Sequence, residues 1–224
     1  MYAAGLTTQA QTSMIRTKGI SLRDISILMQ REGESVALKK GLTANLIVDN
    51  AVEIAEEIGL ENLTMQGLAG RLHVKAASLY NHISGIEEIR CAVTRIAMQQ
   101  LESTLRDAAV GRSSREALQE AAFAYYRFAK QKPQLYKTFI RSAALENAEI
   151  DETRKGVVWT VWQILCSYNY EQDELLHFIR TFRSMLHGFI SLEAEGFFKY
   201  PVAAEESFFA MVANFIDSVE RRRG

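Results

Sequence analysis

Two prolines in 224 residues leave this chain almost without helix breakers, and two cysteines leave it without a disulfide framework. Cys91 and Cys166 stand far apart inside apolar helical patterns, with neither disulfide nor zinc-ligand spacing, which favours a reducing, cytoplasmic setting over secretion. No run of about 18 apolar residues is present to cross a bilayer, and the N-terminus has no signal-peptide core, so no membrane partner is expected. Charge of one sign is lacking too: 26 basic residues against 27 acidic ones leave a formal charge of −1. A nucleic-acid partner would therefore need a local cluster of cations rather than a basic whole. A helical enzyme would have to draw on His177, His187, Cys166, Glu193 and Glu195. These offer no metal-ligand pair at i, i+4 and no nucleophile beside a base, and the chain has no glycine-rich phosphate loop, so no catalysis, metal or cofactor is expected.

What is present is 48 % hydrophobic residues, the composition of packed helices, in a length that suits one sizeable domain or two small ones. The expected fold is all-α: an N-terminal three-helix domain with a helix-turn-helix, then a C-terminal helical ligand-binding and dimerisation domain, about nine helices together. Residues 1–38 read as an extension, largely mobile, with material for one short helix from Ile20 to Arg31. Its arginines, including Arg16 and Arg23, are offset by Asp24, Glu32 and Glu34, so no site is placed there.

Residues 39–89 carry the most specific pattern. Ile47, Ala51, Ile54, Ala55 and Ile58 recur at helical steps behind Thr43 as N-cap, and Gly59 ends the helix in a left-handed position. Thr64 opens a second helix, Met65 to Leu72, whose Ala69 permits a steep close crossing. His73-Val74 is the turn, with Val74 as a buried plug, and a recognition helix follows from Lys75 to Asn81. Its outward side carries Lys75, Ala76, Ala77, Tyr80 and Asn81, with Ser78 and His82 at the margins. Lysine, tyrosine and histidine can bond phosphate oxygens, asparagine can read an adenine edge, and alanine allows close approach to a thymine methyl. With the capping Thr43 and Thr64, these are the expected DNA-binding residues. Against them stands a local excess of acid, Asp49, Glu53, Glu56 and Glu57 in the first helix, which helical spacing places on one side, away from DNA.

Residues 90–224 form the expected effector-binding and dimerisation domain. A fourth helix from Gly85 to about Ala108, roughly 35 Å long at 1.5 Å per residue, would join it to the recognition helix. Further helices are expected near 114–131, 134–144, 149–168, 172–195 and 204–222, with Pro133 and Pro201 at boundaries. Phe178, Ile179, Phe182, Met185, Leu186 and Phe189, and Phe208, Phe209, Val212, Phe215, Ile216 and Val219, make two apolar stripes wider than one neighbouring helix needs, which points to pairing with a second copy; the core of one larger domain is the alternative. Among the many aromatics, Phe123, Tyr126, Trp159 and Trp162, with His187, are candidate ligand-binding residues for a small apolar or aromatic effector; a structural core is the alternative for each.

Ile54-Ala55, Gly59, Leu63-Thr64, Leu68-Ala69, Leu72, Val74 and Ser78-Leu79-Tyr80-Asn81-His82-Ile83 together resemble the DNA-binding domain of the tetracycline-repressor (TetR) family of bacterial transcriptional regulators. The pattern departs from the family at His73, where a turn glycine is usual, at Lys75 in place of a capping serine, at Ile83 in place of an aromatic, and at Ile86 in place of a phosphate-touching lysine. Free amides at the start of the fourth helix would be left to bind phosphate there. Arg183 to Phe198, with His187-Gly188, resembles the C-terminal domain of a subgroup named for a Trp-His-Gly motif, Leu186 standing where its tryptophan would be. The resemblance implies a homodimer through the last two helices, a palindromic double-stranded operator, a small-molecule effector that releases it, and repression as the outcome. A helical ligand-binding or scaffold protein that has lost DNA binding is the alternative.

Overall fold

Ile47, Ala51, Ile54 and Ala55 are buried along one stripe of the helix Ala44–Ile58 (α1), the spacing that makes an amphipathic helix dock on one face. Gly59 ends it at φ +88, a value an L side chain rarely adopts, and its N–H bonds the Ala55 carbonyl at 3.0 Å. The computed structural model describes residues 41–142 and 147–221. The expected N-terminal extension and its short helix lie outside those residues.

After a 3₁₀ turn (Leu60–Asn62) come Met65–Arg71 (α2), Ala76–Leu79 (α3), Ile86–Ala109 (α4), Ser114–Gln131 (α5), Pro133–Arg141 (α6), Ala148–Cys166 (α7), Gln172–Ala194 (α8) and Ala204–Arg221 (α9). Among the described residues there are nine α-helices and no strand, and no helix is long and apolar enough to cross a membrane. Local chemistry accounts for the starts. Ser113 and Glu116 form a capping box on α5, Pro133 occupies the first turn of α6, and the Asn147 side chain accepts from the N–H groups of Glu149 and Ile150 on α7.

The helix α4 has 24 residues and runs straight through the expected domain boundary at residue 89. It buries Ile89, Val93, Ala97, Met98, Leu101 and Leu105, and it packs on α5 and α7 and also meets α1 and α6. The short α6 touches α1, the 3₁₀ turn and α4. One helix, α4, therefore continues from the helix-turn-helix into the rest of the molecule, and a second, α6, packs against it from there.

The apolar stripes of α8 and α9 are spent mostly inside this chain. Phe178, Ile179, Phe182 and Leu186 pack with Phe208, Val212, Phe215, Ile216 and Val219 as buried core, whereas Phe209 stays 47 % exposed. The reason is that each stripe meets the other and α5, so their width alone does not call for a second copy.

Candidate nucleic-acid interface

Thr64 starts the helix-turn-helix. Its backbone is extended at φ −130, and its Oγ1 accepts from the Gly67 N–H at 3.0 Å, so one orphan amide of α2 is satisfied. A side chain at Gly67 would sit 3.1 Å from that hydroxyl, which is why a residue without Cβ follows the cap so closely. The inner side of α2 buries Leu68 and Ala69.

The turn is a Schellman motif. Val74 N–H bonds the Ala69 carbonyl at 3.0 Å and His73 N–H bonds the Gly70 carbonyl at 3.2 Å. His73 occupies the left-handed position at φ +54, where glycine is usual. Val74 is half-buried rather than fully enclosed.

The α-helical part of the recognition segment is shorter than the expected Lys75 to Asn81. Lys75 is the N-cap, its carbonyl accepting from Ser78 N–H at 2.8 Å, and Tyr80 is the C-cap of a single turn. The chain then tightens, with His82 N–H on the Leu79 carbonyl at 2.9 Å. Leu79 and Ile83 are the anchors, 0 % and 5 % exposed. Lys75, Ala77, Tyr80, Asn81 and His82 are exposed, Ala76 and Ser78 half-buried, and Tyr80 shows 57 % of its surface. Among the described residues Lys75, Tyr80, Asn81 and His82 make no side-chain hydrogen bond or ion pair, so the donors of this surface are uncommitted. Thr64 is exposed beside them, and Thr43, directly before α1 in sequence, is exposed as well.

The acidity of α1 is largely matched by cations. Arg71 of α2 reaches back to Glu57 and Glu53, each at 2.8 Å, and Lys132 holds Glu56 at 3.0 Å. The Arg71 fork thereby fixes α2 against α1 and occupies two carboxylates that would otherwise repel phosphate. Before the Gly85 N-cap of α4, which has no side-chain cap, the Ser84 N–H bonds Glu88 Oε2 at 2.6 Å; that bond holds the Glu88 carboxyl below its ordinary range. Glu87 and Glu88 make this helix start anionic.

The five candidate ligand residues fall in three places. Phe123 and Tyr126 join an aromatic cluster on α5, α8 and α9, Tyr126 stacking on Phe208 at 4.3 Å and Phe123 meeting Phe209 edge-on at 4.8 Å. The Tyr126 hydroxyl donates to Glu193 at 2.9 Å and accepts from Lys130 at 3.1 Å. His187 Nδ1 lies 2.8 Å from the Tyr136 hydroxyl, and Tyr125 lies behind that, a buried polar line through α5, α6 and α8. Trp159 and Trp162 share an open groove with Leu176 at the start of α8. No group of three or more histidine, cysteine or acidic side chains able to hold a metal exists among the described residues.

Residues 118–215 match the family model of the tetracycline-repressor-like C-terminal domain. The chain is 30 % identical over 190 residues to the uncharacterized HTH-type transcriptional regulator Rv0681 of Mycobacterium tuberculosis, covering 84 % of this chain and 87 % of that one. It is 29 % identical over 180 residues to the uncharacterized HTH-type transcriptional regulator YobS of Bacillus subtilis, covering 80 % and 93 %. Its fold is similar to that of a TetR variant from Acinetobacter baumannii AYE in complex with minocycline, with a TM-score of 0.60 and 20 % identity over 82 % of this chain and 99 % of that one.

Proposed function

The chain belongs to the tetracycline-repressor family of DNA-binding transcriptional regulators, and on that footing we propose that it represses transcription as a homodimer released from a palindromic operator by a small-molecule effector. The observation that carries the DNA half is the uncommitted surface of α3: Lys75, Tyr80, Asn81 and His82, exposed together behind the His73 turn. Lys75, Ser78, Tyr80 and His82 serve phosphates, Asn81 reads a base edge, and Ala76 and Ala77 permit close approach in the major groove. Thr64, at the start of α2, and Thr43, which precedes α1 in sequence, complete the proposed contact set.

Two copies related by a two-fold axis place two such surfaces about 34–36 Å apart, one turn of DNA, so the operator is an inverted repeat. The face available for pairing is the outer one of the last two helices. His177, Thr181 and Ser184 are exposed there, Gly188 half-buried, and Phe209, Ala210 and Ala213 exposed on α9. A Cβ at Gly188 would meet nothing within 4 Å in its own chain, leaving room for another helix to approach.

The effector acts through the domain of residues 90–224 on that of residues 39–89. Its leverage is α4 and α6, the latter tied to the helix-turn-helix by Arg141 with Glu61 at 3.1 Å and by Lys132 with Glu56 at 3.0 Å. By linkage, the effector binds the DNA-incompetent arrangement more tightly than the competent one. Selection of genomic fragments by the full chain tests the reading: recovered inverted repeats, bound less tightly as salt rises, support it. A chain that holds no DNA at low salt is a scaffold instead.

A further inference from the structure

Among the described residues, six of the ten large apolar side chains left exposed fall in one stretch where α8 turns into α9: Leu192, Phe197, Phe198, Tyr200, Val202 and Phe209. Exposed apolar surface gathered in one place marks a face that meets another surface. The backbone there is well tied. Gly196, at φ +72, closes α8 in a Schellman motif, its N–H on the Glu193 carbonyl at 2.9 Å and the Phe197 N–H on the Leu192 carbonyl at 3.0 Å. Phe198 folds back on Phe189, ring centroids 4.8 Å apart. Phe197 and Tyr200 nevertheless stay 66 % and 87 % exposed.

A second apolar surface lies uncovered at the other end of α8. Trp159 and Trp162, the two tryptophans of the chain, line a groove of about 750 Å³ with Val158 and Leu176, and Trp159 is 55 % exposed. Arg154 is paired with Asp151 at 2.7 Å and Lys155 with Glu152, so the charges of the rim already satisfy one another and an uncharged occupant displaces no ion pair. A groove of this volume has room for two aromatic side chains.

We infer that the loop of residues 195–203 in one copy seats Phe197 and Tyr200 in the groove formed by the partner's Trp159, the partner's Trp162 and the partner's Leu176, and that the two-fold axis makes this contact twice. The inference rests on the reading of α8 and α9 as the face of a homodimer, and it assigns both tryptophans to that interface. In a near-antiparallel pair of α8 helices closest at Gly188, as in a four-helix bundle, residues equally far before and after Gly188 lie side by side. Leu192 then meets the partner's Ser184, and the chain that leaves α8 after Ala194 runs toward the partner's Leu176. From the level of Ala194 that is about 9 Å along the partner helix, within the reach of residues 195–200. In its own chain the groove is out of reach, because Leu176 and Ala194 are separated by about 27 Å of helix.

Buried area argues the same way. Apart from Phe209, the outer face is short or polar: His177, Thr181, Ser184 and Gly188 on α8 with Ala210 and Ala213 on α9. Such side chains let helices approach but bury little apolar surface. At about 200 Å² per aromatic side chain, the exposed parts of Phe197, Tyr200 and Trp159 come to roughly 400 Å² per contact, and two contacts supply roughly half of a standard interface of about 1,600 Å².

Cross-linking of the full chain tests the inference, in a background of Cys91→Ala and Cys166→Ser that removes the native thiols. Lys199→Cys with Leu176→Cys, treated with a short bis-maleimide, is expected to give covalent dimer. The control pair Val110→Cys with Leu176→Cys, and each single variant, is expected to give about tenfold less, because only a seated loop raises the local concentration of the second thiol. Tryptophan emission reads the groove independently, shifting to the red as the parent dimer is diluted to monomer. Phe197→Ala with Tyr200→Ala, at exposed positions that do not threaten folding, is expected to show the red-shifted emission throughout and to weaken the dimer about tenfold or more. A dimer by sedimentation velocity that cross-links no better than the control, or whose emission the loop variant leaves unmoved, overturns the inference, leaving the homodimer standing and the groove to another occupant. A chain that is monomeric at every concentration overturns both.

Discussion

Arg141 Nη1 lies 3.1 Å from Glu61 Oε1, joining the last turn of α6 to the 3₁₀ turn behind α1. Glu61's own backbone N–H, against the opposing effect of burial and with help from Arg141, holds this carboxyl below its ordinary range. Both side chains are more than half exposed, so the pair contributes less than about 1 kcal/mol to stability. Its expected role is positional: Arg141→Ala and Glu61→Gln each change operator affinity several-fold, and the double variant changes it no further than either single one. Strict additivity in that cycle would deny the pair a role.

His73 stands in the left-handed position of the turn at φ +54. His73→Gly is expected to raise stability by about 0.5–1 kcal/mol, because glycine adopts this conformation without the Cβ clash that histidine carries. Thermal unfolding measures it. A lowered Tm would show that the imidazole contributes contacts outweighing its strain.

The imidazole of His187 is held below its ordinary value near 6.5 by burial first and by Arg183 second. Neutral, it can accept at Nδ1 from the Tyr136 hydroxyl 2.8 Å away. Just below the ordinary value the unfolded chain binds a proton that the folded chain does not, so stability is full above about pH 6.5 and falls as the pH drops. Chemical denaturation at pH 7 and about pH 5.5 is expected to show that fall, and His187→Asn to flatten it. An equal slope in the variant would assign the loss to other groups.

Gly188 faces open space within its own chain. Gly188→Leu is expected to leave the monomer folded, since leucine has the higher helix propensity, yet to weaken the dimer about tenfold or more by separating the two outer faces of α8. Sedimentation velocity over a range of concentrations checks this. An unchanged association constant would move the interface elsewhere.

Periodicity and caps made the helices readable. Thr64 and Gly59 each mark an end that the backbone reproduces, and of the apolar steps of α1 Ile47, Ala51, Ile54 and Ala55 are buried while Ile58, at the last turn, is exposed. Those signals are local. Arg71 with Glu53 and Glu57, or Arg141 with Glu61, joins residues whose proximity depends on how helices cross, and nothing in the intervening sequence encodes it. Apolar stripes likewise reveal a face without its partner, which is why Phe182 and Phe215, able to serve a second copy, turn out to pack on each other. Aromatic content was similarly ambiguous. Tyr126 is spent on Phe208 and Glu193, whereas the tryptophans line a groove. The exposure of Lys75, Ala77, Tyr80, Asn81 and His82 was legible residue by residue, but the α-helix that carries them closes at Leu79, before the expected Asn81.

The slope of log affinity against log salt, for the parent and for Lys75→Ala on a selected genomic fragment, tests most directly whether the outward face of α3 lies on DNA. Release of counterions by several phosphate contacts makes the parent slope steep, and removing one contact lowers it by about one unit. Lys75 is exposed and unpartnered among the described residues, so the same variant keeps its Tm. A parent that binds without salt dependence, or a variant indistinguishable from it in slope and affinity, contradicts the assignment of this surface to DNA.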